Sequence, residues 1–118
     1  MDWHTPEKTL DRIIDELIVK HRADAIIAHN DFIASALLKQ CRKRAIKVPG
    51  DVAVGGYLNH YLCEYVDPPL TAVDLQRHQA AKAMVEAVQE LIEESPGAAP
   101  RQLRTIAIEP KVIRRVSV

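Results

Sequence analysis

The chain is short of most residue patterns that mark a catalytic or cofactor-binding protein. It holds two cysteines, four glycines and five aromatic residues, of which one is tryptophan and one phenylalanine. Cys41 and Cys63 make no Cys-x-x-Cys pair, so they read as free thiols suited to a reducing compartment. The glycines form neither a Walker loop nor a Gly-x-Gly-x-x-Gly turn, which leaves no nucleotide-cradling motif and implies no cofactor. No Gly-x-Ser-x-Gly is present, and Ser35 falls inside a predicted helix, so no nucleophilic or other catalytic residue is assigned and an enzyme is not expected. Charge of one sign is also missing: 16 basic and 16 acidic residues cancel. Nucleic-acid binding leans on a basic excess or a basic face, so this segment alone is a poor DNA-binding candidate. No apolar run approaches the length of a membrane span, and the N-terminus has no signal-peptide pattern, which points to a cytoplasmic protein.

What is present fits one soluble α/β domain. Hydrophobic residues make up 47% of the 118 and charged residues 27%, enough apolar content for one core and not for two. Thr5-Pro6-Glu7 has the form of a helix start, with a cap, a first-turn proline and an acid. Leu10, Ile13, Ile14, Leu17 and Ile18 then define one apolar helix face. Ala23 to Ala28 is a short apolar run of the buried-strand kind. A second helix is predicted from about Asp31 to Arg44, with Ile33, Leu37 and Cys41 inward and Arg42-Lys43-Arg44 as a solvated end. A third runs from about Gln76 to Glu94. Arg104 to Glu109 alternates like a strand, and Arg114-Arg115 reads as a charged edge that discourages further pairing. The expected fold class is α/β, a mostly parallel sheet with flanking helices.

The most informative stretch is Asp51 to Asp74. Val52-Ala53-Val54 reads as a strand, and Gly55-Gly56 as a sharp turn at its carboxyl end, where open α/β sheets place ligand crevices. Pro68-Pro69 breaks the chain before a new extended segment, Leu70 to Val73.

These residues carry a family resemblance. Asn30-Asp31, Ala34, Val48-Pro49-Gly50-Asp51, Gly56-Tyr57-Leu58, Pro68-Pro69-Leu70-Thr71-Ala72-Val73 and the closing Ile113-Arg114-Arg115-Val116-Ser117 stand in the order and spacing of the LacI/GalR transcriptional regulators. The similarity lies in their sugar-sensing, periplasmic-binding-protein-like (type I) domain and covers nearly all of the chain. The resemblance implies a partial effector-binding domain. Residues 1-66 would belong to the C-terminal lobe, 67-75 would be the crossover, and 76-118 would return to the N-terminal lobe and close the chain. The family's helix-turn-helix domain has no counterpart here, so DNA would be reached only through a domain these residues lack. Apolar faces made for the rest of such a protein would be exposed, which favours self-association as a homodimer or domain swap.

The same resemblance points to a small sugar-like effector and to Trp3, Asn30, Asp31, Leu58 and Asn59 as its contacts. Trp3 would stack on a sugar ring, and Asn30 or Asp31 would take hydroxyls while the other caps the helix. Leu58 departs from the family's Asp and offers neither donor nor acceptor, and Asn59 is the neighbouring amide. Ala45 departs from a Gly that suits a left-handed turn. His29, Asp31, His60 and Cys63 have zinc-compatible side chains, but the spacing lacks a matching second pair, so no metal is assigned. Two other readings remain open: a dimerisation or structural fragment without ligand, and a solute-binding protein of a sugar transporter, which shares the fold.

Overall fold

A computed structural model describes residues 7-93 and 105-118. The chain divides into two compact units, Met1–Asp74 with Val112–Val118, and Leu75–Lys111.

The first unit begins with α1 (Glu7–Ile13), which continues as a π-helical stretch from Ile14 to Lys20. Leu10 and Ile14 are buried, and Ile18 packs against the same core. Leu17, expected on that face, is instead exposed. The wider π winding changes the angular spacing after Ile14 and swings Leu17 out of the apolar stripe. β1 (Ala25–Ile27) leads into α2 (Asp31–Lys43). The start of α2 is capped by Asn30, whose side-chain oxygen accepts from the Ile33 amide at 2.9 Å. Its inner face carries Ala34, Leu37, Leu38 and Cys41. Its basic end is tied down by exposed ion pairs, Arg42 with Asp67 and Arg44 with Asp15 at 2.6 Å each and Lys43 with Glu7. Exposed pairs of this kind add little stability individually. Ala45 takes the left-handed conformation anticipated for the turn, with φ 56°.

β2 (Ala53–Tyr57) and β3 (Thr71–Asp74) follow, and β1, β2 and β3 lie side by side as parallel strands. Ile26 pairs with Val54, and Gly56 with Ala72. Gly55 and Gly56 therefore sit inside β2 and not in a turn beyond it. β2 and β3 are joined through a short 3-10 turn, Tyr61–Glu64.

One face of the sheet, with Val52, Val54, Leu70 and Ala72, is buried under α1 and α2. Within the first unit the opposite face is partly open, with Gly55 buried and Ala53 and Val73 half-buried. Ile27 is 75% exposed, and an apolar trough of ≈ 240 Å³ runs past Ala53, Gly55, Val73, Val112 and Val118. Parallel sheets normally have both faces covered.

β4 (Lys111–Ile113) brings the chain back to this sheet. The tail then lies between β2 and β3. Ser117, fully buried, accepts from the Val54 amide and donates its own N–H to the Pro69 carbonyl. Its hydroxyl accepts from the Thr71 amide at 2.9 Å and donates to the Val54 carbonyl at 2.6 Å. Arg115 turns inward: its guanidinium donates to the Leu70 carbonyl at 2.9 Å and reaches Glu64. A charged edge was the expectation, and the carbonyl left free at Leu70 is what draws the side chain in.

In the second unit, α3 (Arg77–Glu93) has no buried residue, and Met84, Val85, Val88, Leu91 and Ile92 are all exposed. Ala80, Ala83, Met84 and Ala87 flank a shallow hollow with Ile106 and Ile108. The described part of the alternating stretch, Thr105 to Glu109, is irregular. Alternation makes a strand only where a neighbouring strand takes its amides, and no strand among the described residues does so.

Ser117→Ala leaves the Thr71 amide and the Val54 carbonyl without their partner. It is expected to cost about 1–3 kcal/mol, read as a lower urea midpoint with an unchanged slope.

Candidate functional site

Every parallel strand of the first unit ends at the same edge of the sheet, and the loops there carry most of the candidate residues. β1 runs out through Ala28, whose amide donates to the Gly55 carbonyl at 2.9 Å, into His29, Asn30 and the start of α2. β2 runs out through Tyr57 into a loop with two consecutive left-handed residues, Leu58 at φ 111° and Asn59 at φ 53°. Each such residue costs of order 1–3 kcal/mol, so the loop persists because its surroundings hold it.

Three hydrogen bonds do so. The Leu58 amide donates to the Val73 carbonyl at 2.8 Å. Asn59 Nδ2 donates to Asp74 at 3.2 Å. The His60 amide donates to Asp31 Oδ2 at 2.6 Å. Asp31 is itself 1% exposed, at the first position of α2. Its other oxygen has no hydrogen-bond partner and faces Gly56, where a Cβ would collide with it and lie 2.9 Å from Leu70 Cδ2. The strand glycine is there because a carboxylate occupies the space of its side chain. At Gly55 a Cβ would meet only Ile27 and the Thr71 carbonyl at ordinary contact distance, 3.6 and 3.9 Å.

Cys63 lies beside the same carboxylate. Burial pushes its thiol up from 9.0 to about 12, and the negative charge of Asp31 adds to the shift. Cys41 moves the same way through burial, opposed by Arg44. Both thiols are poor nucleophiles at neutral pH. Among the described residues no three metal-capable side chains gather.

The structure thus brings Asn30, Asp31, Leu58 and Asn59 to one edge but gives them different surroundings. Asn30 spends its oxygen on the helix cap and keeps an amide nitrogen unengaged by described residues. Asp31 is buried behind the loop. Leu58 is partly exposed. Asn59 is turned toward Asp74, with its oxygen buried and unpaired. Trp3 lies outside the described residues. Phe32, Tyr61 and Tyr65, passed over in the sequence reading, complete this edge together with His60. Phe32 and His60 have ring centroids 5.0 Å apart, His60 and Tyr61 4.3 Å, and Tyr61 and Tyr65 6.5 Å. Their spacing in the sequence, three rings within six residues and one far upstream, gave no periodic signal.

The periplasmic binding protein-like domain matches residues 2–118. The chain belongs to that family. Its relatives are LacI-type regulators of transcription, as the motifs implied. The NTD biosynthesis operon regulator NtdR of Bacillus subtilis (strain 168) is 35% identical over 99 residues, 84% of this chain and 29% of the relative. Among solved structures, a LacI-family transcriptional regulator from Sanguibacter keddieii DSM 10542 superposes with a TM-score of 0.83 at 32% identity, over 98% of this chain and 42% of that one. A LacI-family regulator from Arthrobacter sp. FB24, solved in complex with lactose, gives 0.75 at 25% identity, over 97% and 43%. The chain therefore spans about 30% of the length of the curated relative. No described helix is long and apolar enough to cross a membrane.

Two measurements follow from this geometry. Gly56→Ala is expected to destabilise by about 1–3 kcal/mol through overpacking, whereas Gly55→Ala stays near wild type in the same urea titration. Because the folded-state pKa of Cys63 is raised above 9.0, its contribution is fully present below that pH and is lost as pH climbs toward 12. The wild-type urea midpoint should fall through that window, and Cys63→Ala should flatten the fall.

Proposed function

We propose that these residues form the effector-sensing part of a cytoplasmic, non-enzymatic LacI-type regulator. A small sugar-like molecule docks at the carboxyl edge of the sheet. Its binding is passed through a homodimer to a helix-turn-helix domain outside these 118 residues, which changes affinity for DNA. The observation that carries this reading is the convergence of Asn30 and the Leu58–Asn59 loop at the carboxyl ends of adjacent parallel strands, the position where open α/β sheets take ligands. The lactose held by the Arthrobacter regulator supports a sugar-like class.

In this reading Asn30 offers its amide nitrogen to a hydroxyl, Trp3 stacks on a ring, and Asp31 and Asn59 shape the wall between them. Leu58 presents an apolar surface where the family's carboxylate would bind hydroxyls, so the effector has a less polar side facing this lobe. Residues 1-66 supply the C-terminal lobe, 67-75 the crossover, and 76-118 the return to the other lobe and the chain end. The coupling from ligand to DNA is then a shift between two arrangements of the lobes, each favoured by a different ligand.

A second reading, an assembly module without ligand, has its own support in the exposed Ile27 beside an apolar trough and in Leu58. Thermal unfolding against sugars, sugar phosphates, polyols and nucleosides separates the two. A true effector at a hundred times its dissociation constant adds about 2.7 kcal/mol and raises the midpoint by several degrees. A cooperative melt that no member of the panel moves would favour the assembly module.

A further inference from the structure

We propose that Asp31 is a positioning residue, a latch that makes the helix start carrying Asn30 and the loop carrying Leu58 and Asn59 behave as one rigid wall of the crevice. The inference deepens the effector-sensing reading, because it says how that wall keeps its shape, and it rests on that reading for its functional meaning.

The geometry is specific. Asp31 is the first residue of α2, next to the cap residue Asn30, so its backbone moves with the helix start. Its side chain crosses to the other loop and takes the His60 amide at 2.6 Å, 29 residues away in sequence. A carboxylate accepting a backbone N–H is about twice as strong a partner as a neutral acceptor. The bond falls immediately after the two left-handed residues, Leu58 and Asn59, where the chain has most to gain by relaxing. The remaining carboxylate oxygen is wedged against Gly56, so the side chain cannot rotate away without meeting β2. His60 in turn starts the 3-10 turn, with Leu62 donating to its ring nitrogen at 3.5 Å, and that turn holds Cys63 in the core beside Asp31. One side chain thus joins α2, β2, the strained loop and the turn.

A residue that merely fills the core would, when removed, loosen everything packed around it. A latch loosens one segment. Amide hydrogen exchange followed by NMR on the 118-residue protein, without ligand, distinguishes the two. In Asp31→Ala the amides of Asn59 to Cys63 should exchange about ten- to a hundredfold faster than in wild type, while those of Leu37, Leu38 and Cys41 in α2 keep their rates. Asp31→Asn, which retains a neutral acceptor oxygen, should fall between. A thiol reagent gives an independent readout: Cys63 should become modifiable in Asp31→Ala while Cys41 stays protected.

Uniform acceleration across α2 and the sheet, or no acceleration at His60, would overturn the proposal. If Asp31→Ala does not fold, Asp31→Asn decides alone: faster exchange confined to residues 59–63 supports the latch, and any other pattern rejects it. A ligand panel that leaves the wild-type melt unmoved would remove the effector reading without touching this exchange pattern, so the two can fail separately.

Discussion

The first unit depends on Ser117 more than on any other single residue. That unit is made of two stretches of chain, one running to Asp74 and one starting at Val112, with the whole second unit between them. β2 and β3 pair from Gly55 and Thr71 onward, but just before that register their backbones need partners that neither strand supplies to the other. Ser117 supplies them with its amide, its carbonyl and its hydroxyl, all in the buried interior. The requirement to satisfy buried backbone groups is nearly absolute in folded proteins. The tail is therefore part of the sheet, although β4 itself contributes only three residues.

From that anchored sheet the candidate site follows by direction alone. Parallel strands deliver all their carboxyl ends to one edge, and the two loops that leave β1 and β2 meet there. What separates this edge from an ordinary loop cluster is its stored strain and the way it is contained. Leu58 and Asn59 hold unfavourable backbone angles under the control of hydrogen bonds from β3, from Asp74 and from Asp31. The helix cap uses up the oxygen of Asn30, and the core absorbs Asp31. The polar groups left for a ligand are few, and the partly exposed side chain between them is a leucine.

The sequence was a good guide where short-range rules decide. α2 was legible because an Asn cap, an apolar period and a basic end agree with one another: its start falls at the expected residue and its end one residue earlier. The parallel α/β class was legible from alternating runs of the right lengths. The errors arose where a residue's role is set by something distant. Gly55 and Gly56 look like a turn because glycine is the common turn residue. At Gly56 the true reason, a carboxylate from the start of α2 lying over the strand, involves a partner 25 positions away. The His60 amide held by Asp31 was equally out of view, since it belongs to another loop. Arg115 looked like an exposed edge charge until the tail was seen to pass the open carbonyl of Leu70. Leu17 fell out of its predicted stripe because the helix changed winding at Ile14. Thr105 to Glu109 had the alternation of a strand but, among the described residues, no strand beside it.

The discontinuous build of the first unit bears on how the protein is made. A ribosome adds roughly 5–20 residues per second and delivers the N-terminal elements first. α1, β1, α2, β2 and β3 all emerge well before the tail that closes the gap between the last two strands. For that interval the nascent sheet has an open slot beside Val54 and Thr71. Such a nascent chain offers chaperones a place to bind that vanishes when Ser117 arrives.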